Sequence, residues 1–231
     1  MRATGQSLWA AFLLRGQRPG YRGPPKGRPL APSELRRLYA ALGEPHAKRF
    51  FILGLGTAGR PDAVLRLEWS QIDLPAGSIR LNALGRAQTN KRRAEVPICD
   101  LLARHLRSWG EEDGWEGALI RFRGHAVASV KTCWRRASVR AGVKCSPYSL
   151  RHTVGKWLRS QSVPPWEVAA LLGHKMPGYS ITEMYASADP GHMKATKAAL
   201  DALLRAVCVP PVSANLERAK GFEPSTLTLA T

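Results

Sequence analysis

From Pro32 onward the apolar residues Leu35, Leu38, Tyr39 and Leu42 recur three and four apart, the spacing that gathers them on one face of a helix. Pro32 suits the first helical position, Glu34 falls in the first turn, and Gly43 and Pro45 close the element. The next stretch, His46 to Leu55, is apolar almost all round through Phe50, Phe51, Ile52 and Leu53, which predicts a deeply buried helix. A third helix is expected from Pro61 through Ala63, Val64 and Leu67 to Trp69. The period then changes from about 3.6 to 2. Gly77 to Leu81 and Ala94 to Ile98 alternate apolar with polar residues, predicting two strands of a small sheet joined by a basic loop. Helical spacing resumes over Cys99 to Trp109, Ala126 to Ala141, Arg151 to about Leu158, and Trp166 to Leu172, where Gly173 is a stop signal. A last amphipathic block, Met193 to Val207, carries Leu200, Leu203, Leu204 and Val207 on one stripe. The expected class is mainly α with a small antiparallel β-sheet (α+β).

The two ends differ from this middle. Residues 1–31 hold Arg2, Arg15, Arg18, Arg22, Lys26 and Arg28 with no acidic residue, and are rich in Gly and Pro after Leu14. They read as a basic flexible arm, either lying along a polyanion or merely solvated. Residues 209–231 read as a disordered tail after Pro210 and Pro211, leaving 32–208 as the packed domain.

A chain of 231 residues that is 44% apolar can fill a core, which excludes disorder throughout. Its 35 basic and 17 acidic residues give a net charge of +18, the electrostatic footprint of a protein that binds polyanions, nucleic acid first among them. Cys99, Cys133, Cys145 and Cys208 form no CxxC pair, which argues against a zinc ribbon and for reduced thiols in a cytoplasmic setting. No apolar run approaches the roughly 18 residues of a membrane span.

Candidate chemistry is concentrated in four places. Arg60 stands where the turn Gly56-Thr57-Ala58-Gly59 meets a helix start, beside free backbone N–H groups that favour an anion. The loop Gln88-Thr89-Asn90-Lys91-Arg92-Arg93 is suited to reach a phosphate backbone. Lys131, Arg135, Arg136 and Arg140 are spaced four and five apart, as on a phosphate-tracking helix face or an ordinary solvated one. The longest signal is Pro147-Tyr148-Ser149-Leu150-Arg151-His152-Thr153, then Leu171-Leu172-Gly173-His174, then Thr182-Glu183-Met184-Tyr185. An arginine that clamps oxygens, histidines that hold or move a proton and a tyrosine that attacks make a site for chemistry on a phosphate.

In this order the four boxes resemble the catalytic signature of the tyrosine recombinase, or phage integrase, family across roughly Pro32 to Met193. The resemblance implies a catalytic domain that cleaves and rejoins DNA strands through a 3′-phosphotyrosine. Arg60 and Arg151 would hold the non-bridging oxygens, His152 would act as base toward the nucleophile Tyr185, and His174 would hydrogen-bond a phosphate oxygen. Lys91 would protonate the leaving oxygen, or else join Arg92 and Arg93 as a phosphate contact. Tyr148, standing where the family has a histidine, would join Arg92, Arg93, Lys131, Arg135 and Arg136 on DNA. Tyr179 competes with Tyr185 as the nucleophile. Where the family commonly has an acidic residue three after the first arginine, this chain has Ala63, with Asp62 beside it.

The resemblance further implies double-stranded DNA as partner, a homo-oligomer (a tetramer) on that DNA, accessory DNA-bending factors, no membrane, a nucleoid-associated cytoplasmic location, and neither metal nor cofactor. The residues before Pro32 are too few for the family's N-terminal clamp domain, so a truncated or minimal member is expected. Two other readings stay open: an inactive remnant that only binds DNA, and a type IB topoisomerase-like relaxing enzyme.

Overall fold

The computed structural model describes residues 27–83, 85–88, 92–174 and 188–209. Lys91, Tyr185, Tyr179, the first 26 residues of the arm and the tail beyond Val209 lie outside the described residues. The fold is mainly helical with small antiparallel sheets, as the periodicity predicts.

Helix α1, Pro32–Ala41, starts where expected and buries Leu35 and Leu38. The chain is already docked before it. Leu30 is buried and its N–H donates to Thr153 Oγ1 at 2.8 Å, while the Arg28 N–H donates to Ser149 Oγ at 3.3 Å. Glu34 fastens this approach from the other side, accepting from the Ala31 N–H at 2.9 Å and from both terminal nitrogens of Arg28 at 3.0 and 2.6 Å. Residues 27–31, which composition assigns to the arm, therefore pack on the domain. Their partners lie about 120 positions away in sequence, beyond the reach of local patterning.

Helix α2, Pro45–Thr57, is the buried helix the apolar run predicts, with Phe50 through Thr57 all out of solvent. Helix α3 is only Pro61–Leu65, shorter than its apolar spacing suggests. The cause is a tertiary pairing. Leu67 and Trp69 exchange backbone hydrogen bonds with Leu119 and Gly117 at 2.9 and 3.0 Å, and Glu68 between them is extended, bridged to Ala118. A 3-10 turn at Trp69–Gln71 then leads into β1, Ile72–Asp73, a strand the alternation does not mark. It pairs with β2, Ser78–Arg80, which pairs with β3, Glu95–Pro97, all antiparallel, with Ile79 opposite Val96.

Helix α4, Asp100–Asp113, runs one turn beyond expectation and is closed by Gly114 in the left-handed region at φ 71°. Glu112 and Asp113 therefore lie on the helix, and both are engaged. Arg49 donates to Asp113 Oδ2 at 2.6 Å and to Glu112 Oε2 at 2.8 Å, and the Trp69 indole donates to Asp113 at 3.2 Å. The helix expected from Ala126 begins at Lys131 instead, because β4, Arg121–Phe122, and β5, His125–Ala126, form a hairpin. Its turn residues Arg123 and Gly124 have φ 52° and 80°, the signature of a primed hairpin turn. Helix α5, Lys131–Arg140, follows. Its Trp134 is buried edge-on to Phe50, with ring centroids 5.8 Å apart.

Helices α6, Tyr148–Ser160, α7, Pro165–Leu172, and α8, Lys194–Cys208, complete the domain. The Leu200, Leu203, Leu204 and Val207 stripe of α8 is buried against α1, α2, α4 and α6 of the same chain. Helix α6 meets α2 where Gly54 leaves room: a Cβ there would lie 2.6 Å from Leu150 Cδ1. That close approach sets Arg151, the next residue, beside the end of α2.

Replacing Gly54 by Val is expected to destabilise the domain by about 1–3 kcal/mol through overpacking, read as a lower midpoint in urea with an unchanged slope. The Arg28 guanidinium, then the Ala31 N–H, hold the Glu34 carboxyl down at about 2 against an ordinary 4.5. A carboxyl lowered in the folded state stabilises above its unfolded value and loses that contribution as pH falls through the folded one. Stability should thus decline from about pH 4.5 toward about 2, and Glu34→Gln should flatten that part of the stability profile.

Candidate anion site at the meeting of three elements

Three side chains predicted from sequence converge where α2, α6 and α7 end or begin. Helix α2 ends at Ala58, which is left-handed at φ 50° and turns its carbonyl outward. Arg151, in the first turn of α6, donates from Nη1 to that carbonyl at 2.8 Å and from Nη2 to the Leu172 carbonyl at 2.5 Å. Leu172 is the last residue of α7. Gly173 follows at φ 59°, and the His174 N–H returns to the Ala169 carbonyl at 2.9 Å, a Schellman-type close that fixes where His174 emerges. Its Nε2 lies 3.3 Å from Arg151 Nη2. A guanidinium can only donate, so this nitrogen accepts and the ring proton of the neutral imidazole sits on Nδ1.

Arg60 caps α3 from the opposite side, and its Nη1 donates to the Arg92 carbonyl at 2.7 Å. Sequence reasoning does not find this acceptor, because a backbone carbonyl carries no residue-type signal. The nearest hint is Gly173. A Cβ there would stand 2.9 Å from the same Arg92 oxygen, so this glycine serves the contact with the loop as well as the helix stop.

The electrostatics are those of crowded cations. Partial burial, then the charge of Arg60, pulls Arg151 down to about 10. It stays protonated near neutrality, but at a cost. Partial burial, then Arg151 and Arg60, holds His174 below the ordinary histidine value. Among the described residues neither Arg60 nor Arg151 has a carboxylate partner; each is held by carbonyl oxygens. Guanidiniums held by carbonyls keep their charge and their remaining N–H donors, an arrangement that favours an anionic oxygen.

The other predicted residues lie around this cluster in different ways. Tyr148 is half-buried at the start of α6, near enough to act on Arg151. His152 is exposed, and among the described residues no hydrogen bond joins it to Arg60, Arg151 or His174. Arg92 is exposed, whereas Arg93 is turned onto Asp62 with only 9% of its side chain accessible. Lys131, Arg135 and Arg136 are exposed on α5, opposite the buried Trp134 and Ala137. One supporting residue goes unnoticed in the sequence: Glu167 of α7, 4% exposed, accepts the Thr196 N–H of the first turn of α8 at 2.8 Å.

The model of the phage integrase family matches residues 28–192. The chain is 26% identical over 174 residues to tyrosine recombinase XerA of Thermococcus kodakarensis, covering 71% of this chain and 60% of that protein. It is 28% identical over 187 residues to the integrase of Salmonella phage P22, covering 71% of this chain and 44% of that protein. The chain thus spans about half the length of these relatives. In fold it is similar to the integrase from mycobacterium phage Brujita, with TM-score 0.58 and 21% identity over 87% of this chain and 74% of that one. It is also similar to a lambda integrase dimer bound to a COC′ core site, with TM-score 0.54 and 19% identity over 77% of this chain and 52% of that one.

Removing one of the two cations should relieve His174. In Arg60→Gln the His174 ring is expected to titrate at higher pH than in the wild type, measured by NMR from its ring proton shifts, while an unchanged midpoint would contradict the coupling.

Proposed function

Since the chain belongs to the phage integrase family, we propose that it is the catalytic domain of a site-specific recombinase that cuts and rejoins DNA through a 3′-phosphotyrosine. The observation that carries this reading is the pair Arg60 and Arg151, two guanidiniums with no carboxylate partner among the described residues, joined by His174. In the proposed reaction, the Tyr185 oxygen attacks the scissile phosphorus and the bond to the 5′-oxygen breaks. Arg60 and Arg151 each take a non-bridging oxygen and stabilise the charge that builds in the pentacoordinate transition state. His174 adds a donor through the ring nitrogen not occupied by Arg151. His152, the exposed imidazole beside Arg151, takes the phenol proton, and Lys91 returns one to the leaving 5′-oxygen. The phosphotyrosine keeps the energy of the broken diester, so the reverse attack by a 5′-hydroxyl rejoins the strand.

Duplex DNA is the proposed substrate. Support comes from the net charge of +18, from the exposed Arg92, Lys131, Arg135 and Arg136, and from the similarity to a lambda integrase dimer bound to a core site. By the same similarity the working form is proposed to be an oligomer on DNA.

The test uses nicked or phosphorothiolate-bearing suicide duplexes drawn from the sequence flanking the gene, resolved on denaturing gels. The wild type is expected to form a covalent protein–DNA band that Tyr185→Phe abolishes. Arg151→Gln and Arg60→Gln should each slow its formation by about 100- to 1000-fold, as losing one preorganised donor does. Salt-sensitive DNA binding with no adduct on any duplex would overturn strand cleavage in favour of a DNA-binding remnant.

A further inference from the structure

The acidic residue two positions after Arg60 has a task of its own. Asp62 is 58% exposed and binds two arginines at once. Its Oδ1 accepts from Arg66 Nε at 2.9 Å, one turn along α3, and its Oδ2 accepts from Arg93 Nη2 at the far end of the basic loop. The backbone of Arg93 is bracketed as well. Its N–H donates to Gln88 Oε1 at 3.1 Å, and its carbonyl accepts from Gln88 Nε2 at 2.8 Å. One residue earlier is the Arg92 carbonyl that receives Arg60. Asp62, Arg93, the Arg92 carbonyl and Arg60 thus close a ring that begins and ends on the first residues of α3.

An exposed ion pair ordinarily contributes about 0–1 kcal/mol and orders little. This one differs in what surrounds Arg93. That side chain is 9% accessible, and the charges of Arg86, Arg66 and Arg60 bear on it, with Asp62 opposing them. Without the carboxylate a nearly covered guanidinium would face three like charges, and it would leave, taking the adjoining backbone with it. We propose that Asp62 is a positioning residue: by holding Arg93 it keeps the Arg92 carbonyl against Arg60 and so sets the orientation in which Arg60 meets a phosphate. Its catalytic consequence rests on the strand-cleavage reading above; the clasp itself does not.

The experiment compares full-length wild type, Asp62→Asn, Asp62→Glu and Arg66→Ala in two measurements. The first is tryptic cleavage of the folded protein after Arg92 and Arg93, followed by mass spectrometry. Asp62→Asn is expected to be cut at least about 3-fold faster there, with Asp62→Glu and Arg66→Ala close to wild type, since both keep a carboxylate on Arg93. The second is the single-turnover rate of adduct formation beside the affinity for the same duplex. Asp62→Asn should slow adduct formation by about 10- to 100-fold, the range for a slightly misplaced group. Its DNA affinity should hold or rise, because a negative charge has been removed, and Asp62→Glu should restore most of the rate. Unchanged protection of Arg92 and Arg93 in Asp62→Asn would overturn the clasp. An opened loop with an unchanged rate, or a rate that Asp62→Glu fails to restore, would overturn the positioning role. A wild type that forms no adduct defeats the functional reading, and the tryptic comparison then decides the clasp alone.

Discussion

Two like charges, Arg60 and Arg151, act on one another in this fold, and among the described residues no carboxylate pairs with either. Like charges repel, and among the described residues the chain offsets this with backbone carbonyls rather than carboxylates. Ala58 and Leu172 receive Arg151, and Arg92 receives Arg60. The choice matters chemically. A carboxylate would neutralise a guanidinium and compete with any incoming anion, whereas a carbonyl orients the group and leaves its charge. In the proposed reaction each cation would attract the same phosphate, which offsets their mutual repulsion.

Supplying those carbonyls constrains three separate elements. Helix α2 must stop in the left-handed turn at Ala58, α7 must stop at Gly173, and the stretch before β3 must press on Gly173 closely enough to exclude any side chain there. The helices meet because Gly54 admits Leu150, and α7 is tied to α8 by the buried Glu167. Core packing thus decides the directions of three carbonyl dipoles, and they decide where two charges sit. For the proposed reaction this arrangement would be preorganisation, with the electrostatic cost met during folding rather than during strand cleavage.

Much of this was legible in the sequence, and the exceptions have a common cause. Arg60, Arg151 and His174 could be named because their boxes stand in the order of the family signature, and each also lies at a helix boundary: a glycine-rich turn before Pro61, the Arg151-His152 pair at a helix start, and Gly173 before His174. Helix α2 was legible because its apolar residues cover every face. The illegible features depend on distant partners. The end of α3 is set by pairing of Leu67 and Trp69 with residues near 118, and the docking of Leu30 depends on Thr153. The 121–126 hairpin has strands of two residues, too short for alternation to show. His152 illustrates the reverse problem. Its neighbour Arg151 turns inward while it remains exposed, since consecutive residues on a helix point about 100° apart.

The distribution of carboxylates follows from the same constraint. Glu112 and Asp113 are bound by Arg49, Glu34 by Arg28, and Asp201 by Arg205. Asp62 is the one that stands two positions after Arg60 in sequence, yet it faces Arg66 and Arg93. Position 63 shows why. Ala63 is 2% exposed, so a carboxylate there would be desolvated and would have to be compensated at once by a nearby cation. One position earlier the carboxylate stays hydrated and spends its charge on the loop. Arg60 is thereby oriented through a neutral carbonyl rather than a carboxylate, which leaves its charge unpaired by that contact and suits the phosphate proposed for it.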